Sequence, residues 1–252
     1  MALDLIPPPL TPLHALDATL AATGFAVLAP AGPDGMEGLL GVPLAALERW
    51  RAHWDRLPPD AFLRDGGRYR QRRHGCFVVE ADAVTALPPR PHWQPVEYNA
   101  LHGGLERHFE PLEASLADDP AWRAWLVALG RRASALRGPQ RWHVEAHPFR
   151  IDTAGGIGRP TPEGAHRDGV DLVTVTLVAR AGIKGGETRV FQAEASDGLR
   201  FTLTQPWTTM FLDDARVIHE STPIQPLDPA AGGHRDTLVM TLRAGDFQGP
   251  GT

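Results

Sequence analysis

Apolar residues recur at three- and four-residue spacing from Leu16 to Leu28 and again from Val42 to Trp54, which predicts amphipathic helices over both stretches. Prolines 8, 9, 12, 43, 58 and 59 punctuate this region, and Pro43 suits a first helical turn, where its missing N–H forfeits no hydrogen bond. Residues 1–60 are therefore expected to be a helical N-terminal part. From Phe62 to Val79 the chain is polar and arginine-rich, with an Asp65-Gly66-Gly67 turn leading into a strand. Alternation along that strand places Arg68, Arg70 and Arg72 on one face and Arg73 on the other. A further helix is expected near 120–137, where Trp122, Trp125, Leu126 and Leu129 make one stripe.

After residue 140 the period changes from helical to two. Trp142–Ile151, Val170–Ala179, Glu187–Phe191, Leu199–Leu203, Thr208–Leu212, Val217–His219 and Thr237–Leu242 read as short strands. Turn signals separate them: Gly155-Gly156, Gly185-Gly186, Asp197-Gly198, Asp213-Asp214 and Gly232-Gly233. Many short, closely spaced strands point to a barrel or jelly roll rather than a βαβ sheet. With the helices packed on its outer sheet, the chain reads as β-rich α+β and as a single domain over 1–252. Its strand-rich core covers 62–245, interrupted by the helix near 120–137. Trp142, Trp207 and Phe211 are expected in the core rather than in a pocket.

Composition narrows the function classes. The 26 glycines and 24 prolines agree with a turn-rich β body. A formal charge of −5 gives no electrostatic footprint for nucleic acid. Cys76 stands alone, so no intramolecular disulfide can form, and a reducing, cytoplasmic setting is the simplest expectation. The start, MALDLIPPPLTPLHALD, lacks a basic region and is broken by three consecutive prolines, which is unlike a signal peptide. No apolar stretch approaches the roughly 18 residues of a membrane span. None of this fixes the oligomeric state.

Three His-x-Asp pairs occur, and geometry separates them. His53 and Asp55 lie in a helical pattern, where residues two apart point about 200° around the axis and cannot share an ion. His234 and Asp236 open the last strand, with no histidine after them. His166 and Asp168 stand at the mouth of a strand, after the turn Pro160–Gly164, and in extended chain both point to one face. His219, ending Arg216–His219, is available as a third ligand. Two histidines and one carboxylate on one side of an ion suit non-haem Fe(II), with coordination positions left open. Sixteen residues after His219, Arg235 opens the last strand, and Thr237 shares its face. The planar guanidinium fork and a hydroxyl are suited to holding a carboxylate.

The order His166-Arg-Asp168, Gly185-Gly-Glu-Thr188, Val217-Ile-His-Glu-Ser221, Arg235-Asp-Thr237 resembles that of the jelly-roll Fe(II)/2-oxoglutarate oxygenases. More narrowly, RDGGRYRQRRHGCF (64–77), YNALHGGLERHFEPL (98–112), EAHPFRI (145–151) and PTPEGAHRDGVD (160–171) resemble the free L-amino-acid hydroxylases that include isoleucine dioxygenase. The resemblance implies a double-stranded β-helix and an enzyme using Fe(II), 2-oxoglutarate and O2. It implies His166, Asp168 and His219 as metal ligands, and Arg235 with Thr237 as the site for the 5-carboxylate of 2-oxoglutarate. The reaction it implies is hydroxylation of a C–H bond of a small free L-amino acid, aliphatic by analogy, with succinate and CO2 as coproducts. A buried amino acid needs a cation for its carboxylate and an acceptor for its ammonium. Arg68, Arg70 and Arg72 are the candidates for the first, and Asn99 and Glu145 for the second.

Two rivals are weaker. His166-Arg-Asp168 echoes a kinase catalytic loop, but Val173 stands where that motif needs Asn, and no Gly-rich phosphate loop occurs. A non-catalytic metal- and 2-oxoglutarate-binding jelly roll with a regulatory role would keep the same ligands; succinate formation separates it from an enzyme.

Overall fold

The long central strands of the computed structural model, which describes residues 5–99, 101–195 and 197–250, turn one face to helices and the other toward a cavity. The first four residues and the last two of the expected domain lie outside the described residues. In chain order the helices are α1 (Leu16–Thr23), α2 (Met36–Leu40), α3 (Leu44–Glu48), α4 (Arg51–Trp54), α5 (Ala114–Ala117) and α6 (Pro120–Arg137). The strands are β1 (Phe25–Leu28), β2 (Arg70–Arg72), β3 (Gly75–Glu80), β4 (Ala83–Ala86), β5 (Arg141–Asp152), β6 (Leu172–Ala181) and β7 (Ile183–Gly185). They continue with β8 (Thr188–Gln192), β9 (Gly198–Phe201), β10 (Thr209–Asp213), β11 (Val217–Ser221), β12 (Ile224–Pro226) and β13 (His234–Ala244).

The large sheet runs β1-β10-β6-β13-β5-β3-β4, with β2 also paired to β5. Opposite it lie β11-β8-β9 and the pair β12-β7, and all these pairings are antiparallel. This is the jelly roll that the strand spacing predicts. Period-two alternation then assigns every long strand two faces. On β13, Leu238, Met240 and Leu242 join the core beneath the helices, whereas Arg235, Thr237, Val239 and Thr241 line the cavity. A second core fills the space between the sheets, with Val173, Leu177, Val190, Phe201, Met210 and Leu212 among its members.

Tryptophans anchor the helical layer. Trp50, Trp122, Trp125 and Trp207 pack ring against ring, and Trp142 and Phe211 are buried in the same core, as expected of them. Several of the buried indoles find N–H partners: Trp207 donates to Glu48 (2.6 Å), Trp142 to Ser134 (2.8 Å), and Trp54 to the Phe149 and Thr237 carbonyls (3.0 and 3.2 Å), whereas Trp122 and Trp125 have none among the described residues. The Trp54 pair ties α4 to the two strands that carry the cavity wall. Helix α6 starts on an Asp119 cap and Pro120, and it covers the span that the tryptophan stripe predicts.

The N-terminal part differs from its expected form. The helix expected over Leu16–Leu28 stops at Thr23, because Gly24 adopts φ +80° and closes the helix with its N–H on the Leu20 carbonyl. The next four residues, all apolar, form β1 and pair with β10 instead. Residues 42–54 form two short helices rather than one.

Candidate metal centre and its cavity

His166 and His219 come from different segments and are held side by side by backbone. His166 N–H donates to the His219 carbonyl (3.1 Å) and His219 N–H to that of His166 (2.9 Å), a single antiparallel bridge between a loop and β11. Their rings lie 4.7 Å apart between centroids. Asp168 reaches between them, with Oδ1 3.6 Å from His166 Nε2 and Oδ2 3.9 Å from His219 Nε2. The three ligand atoms all lie within 4.8 Å of one another. His166 Nδ1 sits 2.9 Å from the Gly164 carbonyl, which can only accept, so Nδ1 carries the proton and Nε2 can present a lone pair to an ion. The donor set, its convergence and this tautomer fit a divalent first-row metal.

Charge links the three side chains. Burial disfavours the His166 imidazolium, but Asp168 outweighs it and raises the pKa to about 10. The Asp168 carboxylate, although buried, is lowered to about 2 by His166 and then His219. His219 is lowered to about 4, first by burial and then by the charge on His166.

The loop after Asp168 is fastened on several sides. Asp214, buried at the end of β10, accepts the backbone N–H groups of Asp168 (3.0 Å), Gly169 (2.7 Å) and Val170 (3.1 Å). Gln248 donates to the Asp168 and Gly169 carbonyls (2.9 and 2.8 Å). Gly169 has φ +78°, and a Cβ there would come within 2.4 Å of the Tyr98 ring. Gln94 donates to Asp168 Oδ1 (3.1 Å), while its own Oε1 accepts from Arg107 (2.8 Å) and Asn99 (3.1 Å). Because arginine has donors only, the orientation of this amide is fixed.

Across the cavity, Arg235 and Thr237 line the same wall and are both 3% exposed. Asp236 turns to the other face and pairs with Arg150 at 2.7 Å. Arg235 thus enters the cavity as a buried cation whose Nε and Nη2 lack any partner among the described residues. Burial, then the charge of Arg180, lowers its pKa to about 10, so it remains charged at neutral pH. An orphaned buried guanidinium fits a ligand carboxylate.

The residues proposed for a substrate divide. Arg70 and Arg72 are buried and line the cavity. Arg68 does not: it precedes β2, is exposed, and stands away from the cavity wall. Asn99 lines the cavity, but its side chain is committed, donating to Gln94 and accepting the His102 N–H at 2.7 Å. Glu145 points to the inner side of β5, yet His74 (2.9 Å) and His92 (3.1 Å) cover it, and it does not line the cavity. Sequence reasoning missed Arg107, Gln94, Glu163, His92 and His147, all of which do line it. Arg107, Gln94, His92 and Glu163 sit on irregular segments, where no periodicity shows direction.

His74, His92, Glu145 and His147 also bring four ligand atoms within 4.8 Å of one another. His74 and His92 hydrogen-bond to Glu145 and His147 stacks on His74, which makes the group a packed polar cluster rather than a second metal centre. Arg72 Nη2 donates to His147 Nδ1 at 2.6 Å, so the ring's single proton must be on Nε2 and neither nitrogen offers a free lone pair. The His74 and His147 rings are stacked, 4.8 Å apart and 5° from parallel, so their in-plane lone pairs cannot converge. Burial and the Arg72 charge hold His147 neutral, while His92, first by burial, is lowered to about 4. Glu145 stays ionised despite burial because His92 and His74 donate to it.

Residues 51–241 match the family model described as 2OG-Fe dioxygenase. The chain belongs to that family. This dioxygenase therefore uses Fe(II), 2-oxoglutarate and O2, which sets aside the non-catalytic alternative. Among solved structures it is similar to a bsmA homolog from Methylobium petroleophilum PM1, at 54% identity over 99% of both chains, with a TM-score of 0.90. It shares its fold with IDO from Bacillus thuringiensis, at 15% identity over 95% of this chain and 98% of that one, TM-score 0.73. The Fe(II)/α-ketoglutarate-dependent dioxygenase TqaL is likewise similar in fold, at 20% identity over 92% and 86% of the two chains, TM-score 0.68. No curated protein matches the sequence of the dioxygenase. None of its described helices is long and apolar enough to cross a membrane.

Proposed function

We propose that His166, Asp168 and His219 hold Fe(II), that Arg235 and Thr237 receive the far carboxylate of 2-oxoglutarate, and that the substrate is a small free L-amino acid hydroxylated at a C–H bond. The observation that carries this reading is the unpartnered Arg235 guanidinium in the same cavity as the His-Asp-His trio. When bound, iron and 2-oxoglutarate supply an oxidant derived from dioxygen that is strong enough to break a C–H bond. The chain's own part is positional. Gly164 fixes the His166 tautomer, Gln94 and Asp214 fix Asp168, and Trp54 steadies the strands bearing Arg235 and Thr237. A buried wall of guanidinium groups, Arg70 and Arg72 among them, supports an anionic group on the substrate. The sequence resemblance to free-amino-acid hydroxylases agrees with it.

The test is a screen of the twenty free L-amino acids for succinate formed in step with a hydroxylated product. At least one is expected to raise succinate well above the rate without substrate. Hydroxylation of N-acylated or peptide-linked residues with no turnover of free ones would overturn the substrate class.

A second expectation concerns protons. With its pKa raised to about 10, His166 holds a proton at pH 7 that an incoming cation must displace. Metal binding is therefore expected to release about one proton and to tighten by about tenfold per pH unit while pH stays below that value. Calorimetric titration of Mn(II) in buffers of different ionisation enthalpy reads the proton directly. Binding without proton release would place the metal elsewhere.

A further inference from the structure

One wall of the cavity presents donors with nothing to accept from them. Arg70 gives its Nε to Asp60 (2.7 Å) but leaves Nη2 without a partner. Arg107 gives Nη2 to Gln94, and its Nε has no partner. Arg72 gives Nη2 to His147 and stacks between Phe109 and Phe149, 3.8 and 4.4 Å from their centroids, again with Nε unused. His147 adds a fourth donor, because the Arg72 contact forces its proton onto Nε2. These four side chains are 6% exposed or less. A single carboxylate offers about four lone-pair sites, which is what such a wall lacks.

Glu163 shows the opposite deficit. It lines the cavity beside the metal trio, with Oε1 3.5 Å from His166 Nε2, and its buried Oε2 accepts from nothing among the described residues. Arg107 and Glu163 lie within electrostatic reach of each other. One cavity thus holds donors lacking an acceptor and an acceptor lacking a donor. The ligand that answers both carries an anion and a cation.

We propose that Arg107, with Arg70 and His147 beside it, binds the α-carboxylate of the substrate and that Glu163 binds its α-ammonium. This rests on the dioxygenase reading above and deepens it, since both groups must be free and charged. An ester or amide removes the anion, an N-acyl group removes the cation, and peptide bonds on both sides of a residue remove both. The Arg107–Gln94–Asp168 chain of hydrogen bonds then sets the carboxylate site rigidly against a metal ligand.

The test measures binding rather than turnover. The full-length protein, loaded with Mn(II) and 2-oxoglutarate, is titrated calorimetrically with the twenty free L-amino acids, then with the methyl ester and N-acetyl forms of the tightest binder. The wild type is expected to prefer the free acid over either derivative by about 100-fold, the scale of an unpaired buried charge. Arg107→Met should collapse the preference over the ester, and Glu163→Gln the preference over the N-acetyl form. Each preference is a ratio within one protein, so a general loss of stability does not imitate the result. If Arg107→Met does not fold, His147→Phe must reduce the ester preference in its place. If a free amino acid binds and these variants keep both preferences, the subsite assignment alone fails. If no free amino acid binds the wild type or yields succinate, the reading beneath it fails as well.

Discussion

Arg235→Ala is expected to weaken 2-oxoglutarate binding by about 2–5 kcal/mol, a Kd raised roughly 30- to 5,000-fold, with metal affinity unchanged. The size follows from the surroundings of the guanidinium. At 3% exposure it has lost most of its water, and its neighbour Asp236 is spent on Arg150. Arg180 adds a like charge from the adjacent strand and pushes the arginine pKa further down. A buried cation with no anion is costly to the ligand-free protein, and in the proposed reading the far carboxylate of 2-oxoglutarate would relieve that cost. The alanine variant without ligand should therefore unfold no more easily than the wild type, which separates a binding role from a structural one. Anaerobic titration of Mn(II)-loaded protein with 2-oxoglutarate, together with thermal unfolding of the ligand-free form, checks both halves. An unchanged Kd would move the carboxylate to Arg180, whose Nη1 also lacks a partner. Arg243 is a poorer substitute, being held by the Asp246 carbonyl at the far end of β13.

What could be read from the sequence was what periodicity and local spacing control. His166 and Asp168 share a face because extended chain has period two, and Arg235 and Thr237 face the cavity for the same reason. The long strands and α6 carried enough repeats to declare themselves. Gly24 shows where this runs out: a run of apolar residues continues a helical pattern on paper, but one glycine at positive φ turns the chain and frees Phe25–Leu28 to pair with β10. Glu145 shows a second limit. Alternation along β5 gives its side correctly, yet whether a side chain meets ligand or protein depends on His74 and His92, which arrive from distant segments. Arg107 and Glu163 sit in loops, so their approach to the cavity is a tertiary fact without a local signal.

Asp213 and Asp214 carry this furthest, because in the sequence they are merely a turn signal and in the fold they have opposite duties. Asp213 pairs with Arg137 of α6 and ties helix to sheet. Asp214 accepts three consecutive N–H groups, beginning with that of Asp168, the proposed metal ligand. Its pKa is raised to about 7, by burial first and then by the Asp168 charge, so a cation on Asp168 favours the ionised form that these donors require. Asp214→Asn would keep one acceptor oxygen and turn an amide NH2 toward backbone N–H groups, donor against donor. Hydrogen bonds to a charged acceptor contribute about 1.5–3 kcal/mol each, and the freed N–H groups stay buried. The expected result is a loss of about 2–5 kcal/mol in stability with metal bound, and metal affinity about 10- to 100-fold weaker, the usual effect of removing a partner that orients a ligand. Asp213→Asn is the control, since it should lower stability and leave metal affinity as it was. Denaturant unfolding with and without Mn(II), alongside metal titration, reads both quantities. If the two variants lose stability alike and bind metal alike, Asp214 is a structural carboxylate and the loop holds Asp168 without it.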